Sequence, residues 1–183
     1  MTVRMRAALL AAAAALSLAF LGGCGGSDAQ FAYEMTAVAP GSLQVSQIAQ
    51  SLMKSADNVR FIELEADSIS SYYSYDAETV EEAAVYISAD SSLADEIAVF
   101  KIAPGGDDAQ VIAAVNSRIQ SKEWSFRNIS PTEYDKLSNA VSVNISGYVM
   151  LAVTAHPDTV QSVIKELFYT PNSTMVTVYE EKA

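Results

Sequence analysis

The sequence predicts an α+β domain: an antiparallel sheet of about four strands, in two hairpins, with helices packed on one face. Three observations predict it. Two pairs of short apolar-alternating runs flank the polar turns at Asp90-Ser91-Ser92 and Ser146-Gly147. A segment with helical apolar spacing follows each pair. Between residues 42 and 168 no Pro/Gly/Ser stretch is long enough to divide the chain, and no solenoid-length repeat is present.

Taken in order, Val45, Ile48, Ala49, Leu52, Met53 and Ala56 form one apolar stripe, which predicts a helix over Leu43–Ala56. Residues 59–77 carry a weaker pattern, with a short helix or turn over Glu65–Tyr73. Val85 and Ile87 then oppose Tyr86, and Ile97 and Val99 oppose Phe100 and Ile102, so Ala83–Ala89 and Glu96–Ile102 are strands. Pro104-Gly105-Gly106 ends the second. Asp107, with Gln110 three residues on, has the pattern of a capping box. It opens a long helix whose buried stripe is Val111, Val115 and Ile119, with Trp124 and Phe126 packing near its end. Ser130-Pro131-Thr132-Glu133 is a cap, a first-turn proline and an acid ahead of a short helix through about Leu137. Val141, Val143 and Ile145 alternate with Ser142 and Asn144, and the Ser146-Gly147 turn leads into a strand over Tyr148–Ala155. Pro157 begins a last helix with Val160, Val163, Ile164 and Leu167 inward. Phe31, Tyr33 and Met35 alternate as an edge strand would, and Thr174–Tyr179 reads as a further edge strand or a tail.

The amino-terminal residues serve another purpose. Arg4 and Arg6 precede an apolar run, Ala7–Phe20, that ends in Leu21-Gly22-Gly23-Cys24. The run is short of the roughly 20 residues a membrane span requires. A basic start, an apolar centre and a small-residue pair before the chain's one cysteine resemble a bacterial lipoprotein signal. That reading makes residues 1–23 a signal peptide and Leu21, Gly22 and Gly23 its cleavage motif. Cys24 is then the lipidated first residue, 24–41 a tether, and 42–183 a single exported domain. Two or more acyl chains anchor a protein stably where one does not. The expected location is the outer face of the cytoplasmic membrane, and the folded part is left without a thiol.

The chain carries 22 acidic against 11 basic residues, a formal net charge of −11. Loss of residues 1–23 removes Arg4 and Arg6 and no acid, so the remainder is more acidic still. Such a surface repels phosphate backbones and anionic headgroups, which excludes nucleic acid as a partner.

Four segments carry a likeness to a known family: Tyr75–Glu82, Asp95–Lys101, Glu133–Val141 and Gly147–Val149. With the helices between them, the chain from Leu43 to Phe168 resembles a family of Firmicutes lipoproteins defined by domain of unknown function 4358. The resemblance implies a surface lipoprotein and brings no activity, ligand or catalytic residue with it.

No catalytic set stands out. His156 is the only histidine and sits at the entry to the last helix. There is no Gly-x-Ser-x-Gly elbow and no Ser-x-x-Lys box with its partner motifs. The acids Asp76, Glu78, Glu81, Glu82, Asp90, Asp95, Glu96, Asp107 and Asp108 read as a solvated face, since the calcium-loop pattern is missing. No cofactor or metal is called for. Tyr72, Tyr73 and Tyr75 are the candidate binding surface, because exposed tyrosines offer wide contact area at low entropic cost. Adjacent aromatics point in different directions, so at least one belongs to the core. The expected function is a non-enzymatic, membrane-anchored domain that binds an envelope protein or a small ligand. The alternatives are a carboxylate-based envelope enzyme acting on cell-wall glycans, and a structural spacer.

Overall fold

In a computed structural model the described residues are 35–37 and 41–171. The string Leu21-Gly22-Gly23-Cys24, residues Phe31 and Tyr33, and the segment Thr174–Tyr179 lie outside them. Residues 37–170 form one compact unit. The elements in chain order are β1 (Met35–Ala37), α1 (Val45–Met53), β2 (Phe61–Glu63), α2 (Ala66–Ile69), β3 (Val80–Ser88), β4 (Glu96–Ile102), α3 (Asp108–Phe126), α4 (Pro131–Ser138), β5 (Val141–Ile145), β6 (Tyr148–Val153), α5 (Pro157–Phe168) and β7 (Tyr169–Pro171).

The class is α+β and the main sheet is antiparallel throughout, in the order β2-β3-β4-β6-β5. Strands β1 and β7 make a separate two-stranded sheet. The main sheet therefore has five strands where about four are expected. The addition is β2, whose three residues are too few to show a period. It pairs Phe61 with Ser88 and Glu63 with Tyr86 along the outer side of β3.

The helices cover both faces of the sheet, which corrects the one-face expectation. Ile97, Val99, Tyr148, Met150 and Ala152 pack with Val45, Ile48 and Leu52 of α1 and Val160, Ile164 and Phe168 of α5. Their neighbours of opposite parity, Ala98, Phe100, Val149, Leu151 and Val153, pack with Val111 and Val115 of α3 and Leu137 of α4. The physical reason lies in β6, where all six residues of Tyr-Val-Met-Leu-Ala-Val are buried. A strand that alternates two apolar faces needs cover on each.

Two turns set the geometry around the sheet. Ser146 and Gly147 both have positive φ, 51° and 80°, the conformation of a tight primed hairpin turn. At the start of α3 the capping box does not close. Asp107 Oδ1 accepts from the Ala109 amide at 3.1 Å, and Gln110 Oε1 turns away to accept from the Asp76 amide at 3.1 Å. Ser130 does cap α4, accepting from the Glu133 amide at 3.4 Å, with Pro131 in the first turn.

Candidate functional site

Strand β4 begins on a buried carboxylate. By the two-residue alternation Glu96 shares the α3 side of the sheet with Ala98 and Phe100, and it is 0 % exposed. Four side-chain donors meet it. Tyr73 Oη donates to Oε1 at 2.5 Å. Arg118 donates through Nε to Oε1 at 3.0 Å and through Nη2 to Oε2 at 2.9 Å. Lys122 Nζ donates to Oε2 at 2.7 Å and to the Ala94 carbonyl at 2.6 Å. The helix supplies both cations because Val111, Val115, Arg118 and Lys122 follow at i, i+4, i+7 and i+11, so the inward stripe turns from apolar to basic as it passes the end of β4.

A second cluster adjoins the first through Ala94 and Asp95. Lys136 of α4 bridges Asp95 Oδ2 at 2.7 Å and Glu133 Oε2 at 3.0 Å. The same Glu133 oxygen accepts from the Ala94 amide at 2.7 Å. The six charges balance in sum but not in place. Arg118 and Lys122 share Glu96 at one end, while Asp95 and Glu133 share Lys136 at the other.

The protonation states follow from these contacts. Burial pushes the Glu96 carboxyl up, but Lys122 and Arg118 outweigh it and hold the group below the usual carboxylate range. Burial, reinforced by the Glu96 charge, pushes the Tyr73 phenol well up, so it stays a neutral donor. Burial also draws the Lys122 ammonium down against the pull of Glu96. A carboxyl held low when folded contributes stability above its unfolded value of about 4.3 and loses it as pH falls through the folded value. Lys122, drawn down by burial, makes stability rise with pH in the same sense, but only in the alkaline range, away from the window of Glu96. Stability should therefore fall on the acid side of about pH 4, and Glu96→Gln should flatten that fall in urea midpoints followed against pH.

The three candidate tyrosines separate in the structure. Tyr73 is 1 % exposed, which removes it from any binding surface. Its ring meets Phe100 edge-on with centroids 5.0 Å apart. Tyr75 is half-buried against the same ring at 5.6 Å. Tyr72 is 38 % exposed and lies beneath the Arg118 guanidinium, 4.6 Å from ring centroid to Cζ. The structure thus brings one candidate, Tyr72, to the surface beside a charge that the sequence did not single out. Two other expectations are corrected. Asp95 and Glu96 belong to no solvated face, and Trp124 is 79 % exposed where packing is expected. Trp124 lies two residues from both Lys122 and Phe126, on the opposite side of α3 from the inward stripe. Asp76, Glu78, Glu81, Glu82, Asp90 and Asp107 are exposed as expected. His156 stands at the start of α5, its Nε2 2.6 Å from Asp57 Oδ2 at the surface.

Two shallow grooves flank the charged network. One, of about 510 Å³, runs between Ser91-Ser92-Leu93 and Phe126, Ile129 and Glu133. Glu133 is its only acid, already held by Lys136 and the Ala94 amide. The other, of about 280 Å³, is lined by Ser71, Tyr72, Ser74, Ala113, Ala114, Ser117, Arg118 and Ser121, with no acid among them. Glycan hydrolysis by a carboxyl pair places the two groups about 5–9.5 Å apart in one cleft. Neither groove holds such a pair. Among the described residues no three His, Cys, Asp or Glu side chains cluster to hold a metal, and no helix is long and apolar enough to cross a membrane.

A family model described as a domain of unknown function, DUF4358, matches residues 54–154. That span holds β2 through β6 and with them every residue of the charged network. No curated protein and no solved structure matches the chain.

Proposed function

The chain belongs to the DUF4358 family, and from that premise we propose that it is one of the family's Firmicutes lipoproteins, anchored at Cys24 outside the cytoplasmic membrane and acting by binding. The anchor is supported by the string Leu21-Gly22-Gly23-Cys24 behind a basic and apolar start. One observation carries the binding part: Tyr72 and Arg118 stand together on a groove, while the acids that could do chemistry nearby are bound to cations. A guanidinium stacked on an aromatic ring is a recognition surface with little freedom left to lose on binding. The ligand is an envelope protein segment or a small molecule, and the acidic exterior keeps nucleic acid away.

Cell fractionation tests the anchor. The native chain should sediment with membranes and Cys24→Ala should not. Mass spectrometry of the native amino terminus should find an acylated Cys24. An intact, unmodified start would contradict the proposal. Capture of partners from detergent-solubilised membranes, with Tyr72→Ala as the comparison, tests the binding face. A partner recovered equally by both forms would remove the groove from the account.

A further inference from the structure

We infer that the Tyr72–Arg118 groove takes a small monovalent carboxylate, seated on the outer edge of the Arg118 guanidinium. The inference rests on the binding role proposed for this groove and names the ligand class. A guanidinium has five N–H donors in a fixed fork. Glu96 occupies the Nε–Nη2 edge, which leaves the Nη1–Nη2 edge for a second acceptor. Among the described residues that edge has no partner. No buried side-chain nitrogen or oxygen there is left unsatisfied, so Nη1, which has no partner, meets water. Its direction is set on two sides, by Glu96 and by the Tyr72 ring 4.6 Å away. Arg118 lines the groove together with Ser71, Ser74, Ser117 and Ser121, whose hydroxyls bond to no described side chain or backbone group.

Three features select the class. A carboxylate presents two oxygens to two N–H groups in parallel, the geometry in which Arg–carboxylate pairs are strongest. The charge at this end of the network is two cations to one acid, a surplus of one that a monoanion balances. A dianion would add a second negative charge to a chain already at −11. The volume of about 280 Å³ equals roughly nine waters, room for a small acid with serine hydroxyls around it.

The test uses the full-length chain in detergent at fixed ionic strength, titrated calorimetrically and by thermal unfolding. The probes are acetate and N-acetylglycine, each against its uncharged amide, and inorganic phosphate. Both acids should bind with dissociation constants of the order of 1 mM and raise the melting temperature, because so few atoms limit the affinity. The amides should do neither, and phosphate should bind more weakly. Ser117→Leu, a change at an exposed helical position away from Glu96, should fill the groove. It should weaken both acids by about tenfold or more at an unchanged melting temperature without ligand. Arg118→Lys should also lose binding, and Ser117→Leu keeps the test decisive if that variant folds poorly. Acids and amides binding alike, phosphate binding more tightly, or full affinity in Ser117→Leu would each overturn the inference. Failure of the acids alongside partner capture that still depends on Tyr72 would overturn the ligand class and leave the binding role standing.

Discussion

Replacing Glu96 by glutamine should cost the fold about 3–5 kcal/mol, the loss expected when one member of a buried ion pair is removed and its partners stay behind. Glutamine keeps the shape and one acceptor oxygen but not the charge. Arg118 and Lys122, with side chains 17 % and 12 % exposed, would face each other across a neutral amide. Tyr73 would lose its charged acceptor in the same step. Urea denaturation of the full-length chain measures the effect as a lower midpoint at unchanged slope. The exposed pair of Glu81 and Lys101 serves as the contrast, since Glu81→Gln should leave the midpoint nearly where it was. Equal small losses at both positions would mean that Glu96 does not hold the two helical cations.

Phe100→Ala should cost a similar amount, about 3–5 kcal/mol, for a different reason. The ring is 0 % exposed and takes edge contacts from Tyr73 and Tyr75. Its removal leaves a cavity between β4 and α3 that neither tyrosine can fill without moving, and Tyr73 is tied to Glu96. Phe100→Leu keeps most of the volume and should cost well under half as much. Thermal unfolding of both variants reads the difference. A near-neutral Phe100→Ala would show that the α3 side of the sheet is not packed as described.

Much of this fold is legible in the sequence because local periods agree with the final packing. Val141, Val143 and Ile145 alternate with polar neighbours and form β5 at the expected place, and Glu96–Ile102 and the turn at Ser146-Gly147 match as well. The helix from Pro157 and its proline-led first turn also match. The two departures have separate causes. Tyr148–Val153 is apolar at every position, the mark of a strand covered on both sides, yet the order of two hairpins each followed by a helix assigns the helices to one. Strand β2 is held by pairing to β3 more than by any pattern of its own.

The site was less legible because its meaning is tertiary. An Asp95-Glu96 pair next to a hairpin turn reads as solvated unless the cations that neutralise it are placed. Those cations sit 22 and 26 residues away on another element. One signal was available. Arg118 and Lys122 continue the spacing of Val111 and Val115, and two basic residues on an inward stripe imply a buried acid opposite. The tyrosine run shows the same limit, since only the packing of Phe100 decides which of the three rings turns inward.

The central physical claim is that a buried carboxylate at the start of β4 locks one guanidinium in place and leaves its far edge open to the groove. Nitrogen-15 NMR of the arginine side chains in the full-length chain tests this most directly. The Arg118 Nε–H should exchange with water far more slowly than those of the exposed Arg60 and Arg127, and should lose that protection in Glu96→Gln. An Arg118 Nε–H exchanging as fast as those two in the native chain would contradict the account.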